Sequence, residues 1–264
     1  MKIVSLLDNL SADSRLAAEH GLSLYIETEK HHILFDTGQT DAFARNAELL
    51  GIDLSLVDTA VISHGHYDHT GGLLRFLSLN DRAPVYVQRK AFKRHKASDG
   101  REIGMDRSLE SNPRIVPTDD LLMLDENLWL CTCNDKERPF PSHSGNLLML
   151  RGEDFVQDDF CHEQYLCLRE NGRLIVVSGC SHKGILNIVH WLRPDVLIGG
   201  FHFMSLPMDK NGPDELDAAA RTLSAFPTEY YTCHCTGKAQ FDYLKQKLGN
   251  RLHYLAGGTS SEID

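Results

Sequence analysis

A chain of 264 residues with 42 % hydrophobic side chains is long enough to enclose one large core or two small ones. Its formal charge of −10, from 37 acidic against 27 basic residues, excludes general nucleic-acid binding, which needs a basic footprint. No apolar run approaches the roughly 18 residues of a membrane helix, so no membrane association is expected.

The first ten residues carry Asp8 where a signal peptide would stay apolar, and the seven cysteines show no disulfide-framework spacing. Reduced thiols in a cytoplasmic protein are the simplest expectation. No linker, repeat or low-complexity stretch appears, so residues 1–264 are expected to form a single domain.

Taken in order, residues 2–7 read as a strand, with Asp8-Asn9 at its end. Glu19-His20-Gly21 precedes a strand at 22–27, and a third at 32–35 is closed by Asp36-Thr37-Gly38. A helix at 43–50 ends at Gly51, a usual C-cap residue. The strand at 57–62 then runs into Ser63-His64-Gly65-His66-Tyr67-Asp68-His69-Thr70-Gly71-Gly72, and a helix begins at Leu73. After a strand at 84–87 the pattern breaks. Residues 88–120 are rich in Lys and Arg and read either as a solvated surface insertion or as a flank of the active site that attracts an anionic substrate. A homodimer contact is the other use open to such an insertion.

A hairpin is expected from 121–124 and 128–131. Cys131 and Cys133 lack the second pair that a zinc ribbon requires and read as buried strand cysteines. A strand starts near 146. The polar run 158–164 precedes another at 165–168. The apolar strand 174–178 feeds Gly179-Cys180-Ser181-His182-Lys183-Gly184 and a helix at 185–191. A strand at 196–198 leads to Gly199-Gly200-Phe201-His202 and a helix at 213–225. A last strand, 229–232, leads to Cys233-His234-Cys235-Thr236-Gly237 and a helix at 238–248.

Three histidines and an aspartate within six residues, on a strand-to-helix turn beside glycines, are donors of the kind that zinc and similar ions take. His64 and His66, two apart, can grip one ion, while Asp68 and His69 face a second. His182 and His234 stand at two later strand-to-helix turns and are the further ligands expected. Cys180 reads equally as a thiolate donor or an inert buried thiol. His202 is expected nearer substrate than metal. Cys233 and Cys235 are expected to face the core while His234 faces the cleft.

The pattern His-x-His-x-Asp-His resembles the signature of the metallo-β-lactamase superfamily. The longer strings, Glu19-His20-Gly21-Leu22-Ser23, Phe35-Asp36-Thr37-Gly38, Ser63 to Gly72, Gly179-Cys180-Ser181-His182, Gly199-Gly200-Phe201-His202 and His234-Cys235-Thr236-Gly237, resemble its branch related to dihydropterin-ribofuranosyl-aminobenzene-phosphate synthase. The resemblance runs from Asp8 to Gly237. It implies an αββα sandwich of two mixed sheets packed face to face with helices outside, and one or two bound metals. It implies a supporting role for Asp36, a ligand from the region of His162 or Glu163, and a phosphorylated substrate. The chain departs from the wider superfamily in lacking a Gly-His-x-Pro-Gly segment before the strand that leads to Cys180, which weakens a lactamase, thioesterase or lactonase reading.

The function expected is a metal-dependent hydrolase. His64, His66 and His182 would hold one ion and Asp68, His69 and His234 another, with zinc first and manganese or iron(II) as alternatives. A metal-bound hydroxide, formed as the ions lower the pKa of water from 15.7 toward about 7, would attack an anionic, phosphorylated or phosphodiester small molecule. Asp68 and His202 would assist, and Lys183 would bind phosphate. The competing readings are a metal-binding protein without turnover and a di-iron oxidoreductase. Against the last, di-iron reductases of the superfamily carry Glu where this chain has His66.

Overall fold

The computed structural model describes residues 1–263. Two seven-stranded sheets form its centre. The first runs in the order Ser260–Glu262, Lys2–Leu7, Ser23–Glu27, His32–Phe35, Thr59–Ile62, Val85–Gln88 and Ile115–Thr118. The second runs Leu252–Tyr254, Glu229–Thr232, Val196–Ile198, Arg173–Val177, Tyr165–Glu170, Leu128–Cys131 and Leu121–Met123. Both are mixed: His32–Phe35 onward is parallel in the first, as is Arg173–Val177 through Leu252–Tyr254 in the second, and the remaining pairs are antiparallel.

Burial explains the layering. The central strands are apolar after their first residue, near-continuous runs of the kind found in strands covered on both faces. Ile3, Leu24, Phe35 and Val61 meet Leu130, Leu166, Val177 and Ile198 between the sheets. A second core lies under the helices Ala42–Leu49 and Leu73–Leu79, and a third under Ile185–Leu192, Gly212–Ser224 and Lys238–Leu248. Three cores separate four layers, the αββα sandwich. Phe35 is fully buried in the middle one, where truncation to Ala would cost about 3–5 kcal/mol.

The helices follow from spacing and caps. Gly212–Ser224 buries Leu216, Ala219, Ala220 and Leu223, the one-sided pattern of a surface helix. Pro213 sits in its first turn, where no backbone donor is lost, and Asp214 and Glu215 complement its dipole. In Lys238–Leu248 the buried residues Gln240, Leu244 and Leu248 recur every four positions.

The insertion contains more order than its composition suggests. It supplies the strand Ile115–Thr118 to the first sheet. His95–Lys96 joins a small third sheet with Leu148–Arg151 and Asp154–Gln157, which the alternation of the sequence did not reveal. That sheet carries His95, which is fully buried.

Register sets the site. Phe35 pairs with Val61, and Val177 with Ile198, which in turn pairs with Tyr231. Parallel neighbours in register end together, so Asp36, Ser63, Gly179, Gly199 and Cys233 emerge along one edge. Chemistry at the carboxyl ends of parallel strands is the general habit of such sheets.

Candidate metal centre

Backbone conformation crowds the site with strain. Asp36, Ser181, His202 and His234 all have positive φ, at 60°, 58°, 58° and 47°. Left-handed non-glycine residues cost about 1–2 kcal/mol each and collect at functional sites. Two glycines are required by close approach. A Cβ at Gly179 would stand 2.4 Å from Ser63 Oγ, where the turns of the two halves meet. One at Gly65 would stand 2.4 Å from the Ala91 carbonyl of the insertion.

Hydrogen bonds fix which imidazole nitrogen is bare. Asp36 Oδ2 accepts from Ser63 Oγ at 2.7 Å and from His69 Nδ1 at 2.6 Å. The Ser63 hydroxyl has one proton and gives it to Asp36, so Ser63 Oγ accepts from His64 Nδ1, 2.8 Å away. Asn9 Oδ1 is identified as the oxygen by the Gly21 N–H it accepts, and it accepts His234 Nδ1–H at 2.7 Å. His64, His69 and His234 are thereby each held with a lone pair on Nε2, the tautomer a metal needs.

These lone pairs converge. His69 Nε2 lies 3.1 Å from Cys180 Sγ and 3.6 Å from Asp68 Oδ2. Asp68 Oδ2 lies 3.3 Å from His234 Nε2, a buried atom with no hydrogen-bond partner. Asp68, His69, Cys180 and His234 thus bring one donor each within 4.8 Å of one another, as do His64, His66 and His182. In the second group His64 Nε2 and His182 Nε2 face each other at 3.1 Å. Buried nitrogens left over at His182 and His234, and lone pairs aimed at common points, are what a cation would satisfy. The donor set fits divalent metal.

The two groups differ electrically. Burial first, then crowding by neighbouring imidazoles, holds His64, His66 and His182 far below the usual His range, so all three are neutral. Burial likewise lowers His234 to about 4. At His69 burial also works against the charged form, but Asp36 and Asp68 outweigh it and raise the pKa. Burial disfavours the Asp68 carboxylate too, yet His69, His20 and His234 hold it ionised well below its normal range. The field around Asp68 therefore favours positive charge, as a proton or as a metal ion.

Both groups open onto a cleft of ≈ 480 Å³. His202 lines it; its Nδ1 donates to the His143 carbonyl at 3.1 Å, and its ring lies 4.5 Å from that of His182. His20 also lines the cleft and donates Nε2–H to Asp68 Oδ2 at 3.3 Å, because its Nδ1 accepts from Asn9.

Three expected residues stand elsewhere. Glu163 is fully buried and accepts from the backbone N–H groups of His182 and Lys183 and from Tyr165 Oη, so it clamps the turn and stands outside the converging donor groups. Lys183 does not reach the cleft as a phosphate contact; its ammonium donates to the Thr132 and Glu163 carbonyls at 2.6 and 3.0 Å. His162 has both nitrogens engaged, Nδ1 by the Gly65 N–H and Nε2 by Asp158. Cys233 does lie in the inter-sheet core, but Cys235 lines the cleft because the chain turns out of the strand at Cys233.

The insertion divides. Arg89, Lys93, Arg94 and Arg107 line a separate concavity, with Arg89 paired to Asp119 and Arg94 to Glu102. Only its segment around Ala97, Ser98, Arg101 and Ile103 borders the cleft. Asn9, Ser63, His95 and Asp158 were missed as site residues. Ser63 adjoins the histidine motif and Asn9 ends the first strand, but His95 carried no signal among the lysines and arginines around it.

Residues 17–146 match the metallo-β-lactamase superfamily model, and the chain carries a metallo-β-lactamase domain with the fold of that superfamily. Among its relatives is the 7,8-dihydropterin-6-methyl-4-(β-D-ribofuranosyl)-aminobenzene-5'-phosphate synthase of Methanocaldococcus jannaschii, 26 % identical over 93 % of this chain and 91 % of the relative. The crystal structure of Tm1679, described as a metal-dependent hydrolase of the β-lactamase superfamily, superposes with a TM-score of 0.84 at 29 % identity, covering 100 % of this chain and 99 % of that one. YhfI from Bacillus subtilis, at 13 % identity and a TM-score of 0.60 over 99 % of both chains, shares the fold.

Proposed function

We propose that this protein is a dinuclear metal-dependent hydrolase of phosphorylated small molecules. The observation that carries the proposal is the set of Nε2 lone pairs on His64, His69 and His234, each fixed by a hydrogen-bond acceptor behind the ring and aimed at a neighbouring donor. His64, His66 and His182 would hold one ion. Asp68, His69, Cys180 and His234 would hold the other, and a thiol among imidazoles favours zinc. Bound there, the ions would supply Lewis acidity and acidify a water beside the cleft.

The chain's own groups supply the rest. Asp36, through Ser63 and His69, keeps ligands of both groups in one orientation. Arg101 places a cation on the cleft wall for a phosphate, beside Ser98 and Asn146. His202, with its Nδ1 proton committed to the His143 carbonyl, can take or give a proton at Nε2. In hydrolysis His202 Nε2 takes a proton from the water as the water oxygen forms its bond to phosphorus, and gives that proton to the leaving oxygen as its bond to phosphorus breaks. The name of the Methanocaldococcus relative contains a 5'-phosphate, which supports this substrate class. A small anionic substrate also suits a cleft of this size.

The test is elemental analysis of the purified chain joined to a panel of phosphomonoesters, phosphodiesters and β-lactams. About two ions per chain and turnover of a phosphoester are expected. Cobalt loading should give a thiolate-to-metal charge-transfer band that Cys180→Ser abolishes. No metal uptake in excess zinc would sink the proposal, and two ions without turnover of any ester would leave a metal-binding protein.

A further inference from the structure

Three of the four imidazoles on the first turn and its partner Cys233–Gly237 have an acceptor behind the ligand nitrogen: Ser63 for His64, Asp36 for His69 and Asn9 for His234. His66 has none. Its Nε2 is sealed from solvent without a hydrogen-bond partner, which leaves Nδ1 as the nitrogen open to the cleft. If Nδ1 offers its lone pair there, Nε2 carries the proton and requires an acceptor.

The insertion places a candidate beside it. His95 is fully buried, and its Nδ1 donates to Asp158 Oδ2 at 2.7 Å. Its Nε2 is therefore bare, and it too is sealed with no partner. The His66 and His95 rings stand edge to face with centroids 5.7 Å apart. One donor atom from each of His66, His95, Asp158 and His162 lies within 4.8 Å of the others. We infer that His95, oriented by Asp158, is the acceptor for His66 Nε2–H and holds His66 in the tautomer that presents Nδ1 to the centre. This rests on the reading of His66 as a ligand given above.

The same four residues could suggest a third cation site, but their hydrogen bonds oppose it. Asp158 Oδ1 accepts the Phe160 N–H, and Oδ2 accepts from both His95 and His162. His162 Nδ1 accepts the Gly65 N–H, so its proton is on Nε2, pointing at the carboxylate. A cation among them would displace these donors. Only the two Nε2 atoms of His66 and His95 remain, one needing a proton acceptor and the other being one. His95 is a positioning residue, recruited from outside the histidine motif by the small third sheet.

The experiment measures zinc stoichiometry and affinity by chelator competition on the full chain, for the parent, His95→Ala and His95→Gln. His95→Ala should bind one of the two ions about 10- to 100-fold more weakly, the usual effect of losing such a support, and leave the other unchanged. The unchanged ion also reports that the variant is folded. His95→Gln, whose Oε1 can accept the same N–H, should recover most of the affinity. Long-range ¹H–¹⁵N spectra of the zinc-loaded parent should place the His66 proton on Nε2. Unchanged affinity in His95→Ala, or a His66 proton on Nδ1, overturns the inference while the two-ion reading stands. Three ions in the parent falling to two in His95→Ala would overturn it by making His95 a ligand. A parent that binds no ion overturns the reading of the centre, and this inference with it.

Discussion

Two buried carboxylates support the two halves of the centre, and they do so differently. Asp36, at the end of a first-sheet strand, accepts the Ser63 N–H on Oδ1 and binds side chains through Oδ2: it reaches His69 directly and His64 through Ser63. Glu163, from the second sheet, binds backbone: the N–H groups of His182 and Lys183 both point at it. Asp36 therefore sets ligand tautomer and direction, whereas Glu163 sets the path of the chain that carries a ligand.

Their electrostatic surroundings match these roles. Glu163 has a buried cation nearby. Burial raises the Glu163 pKa and lowers that of Lys183 to about 8, while each partly restores the other's charged form. The Asp36 carboxylate instead faces imidazoles whose other nitrogens serve the cleft. Damage to the second half should appear as lost stability, and damage to the first as lost metal affinity.

The sharpest break is Lys183→Met. It removes two charge-assisted bonds to backbone carbonyls and leaves Glu163 without its counter-charge. Each hydrogen bond made by a charged group contributes about 1.5–3 kcal/mol. Urea unfolding should show that loss, while protein that remains folded keeps its two ions. A loss under about 1 kcal/mol would mean that Glu163 does not depend on the lysine.

Asp36→Asn comes next. The amide nitrogen must then face either the Ser63 N–H, in place of Oδ1, or the Ser63 hydroxyl and His69 Nδ1–H together, in place of Oδ2, so a donor meets a donor beside the ligand histidines in either orientation. Metal affinity should fall about 10- to 100-fold, with a smaller effect on unfolding than Lys183→Met. Equal effects of the two variants on both readouts would erase the distinction between the carboxylates.

The smallest effect is expected at the cleft rim. Arg101→Gln should raise KM for a phosphorylated substrate a few-fold with kcat nearly unchanged, as lost uniform binding does. The difference should shrink as salt rises, since exposed charges are screened beyond about 8 Å at 0.15 M ionic strength. Arg89→Gln and Arg94→Gln, on the separate concavity, should leave KM unchanged. A reversed ranking would return substrate capture to that outer face.

The amino-acid sequence by itself determined the fold class and singled out most of the donor side chains that the fold brings together. Apolar strands ending in Gly-His turns mark both the sandwich and the edge where the histidines gather, because local spacing and turn chemistry are written in neighbouring residues. Helix and strand ends moved by only a residue or two, as with Gly212–Ser224 against the expected 213–225. Tertiary structure decided what depends on distant residues meeting. Cys180 comes within reach of His69 because two sheets end in register, and no spacing encodes a contact across 111 positions. Lys183 and Glu163 read as site residues from their place in the motifs, yet packing turned them inward onto the backbone. His95 sits in a stretch whose composition suggests a solvated surface, and only the pairing of His95–Lys96 with Leu148–Arg151 buries it beside Asp158. A hydrogen-bond partner is a property of three-dimensional neighbours, so tautomers, supports and the division of labour between Asp36 and Glu163 appear only when the chain is folded.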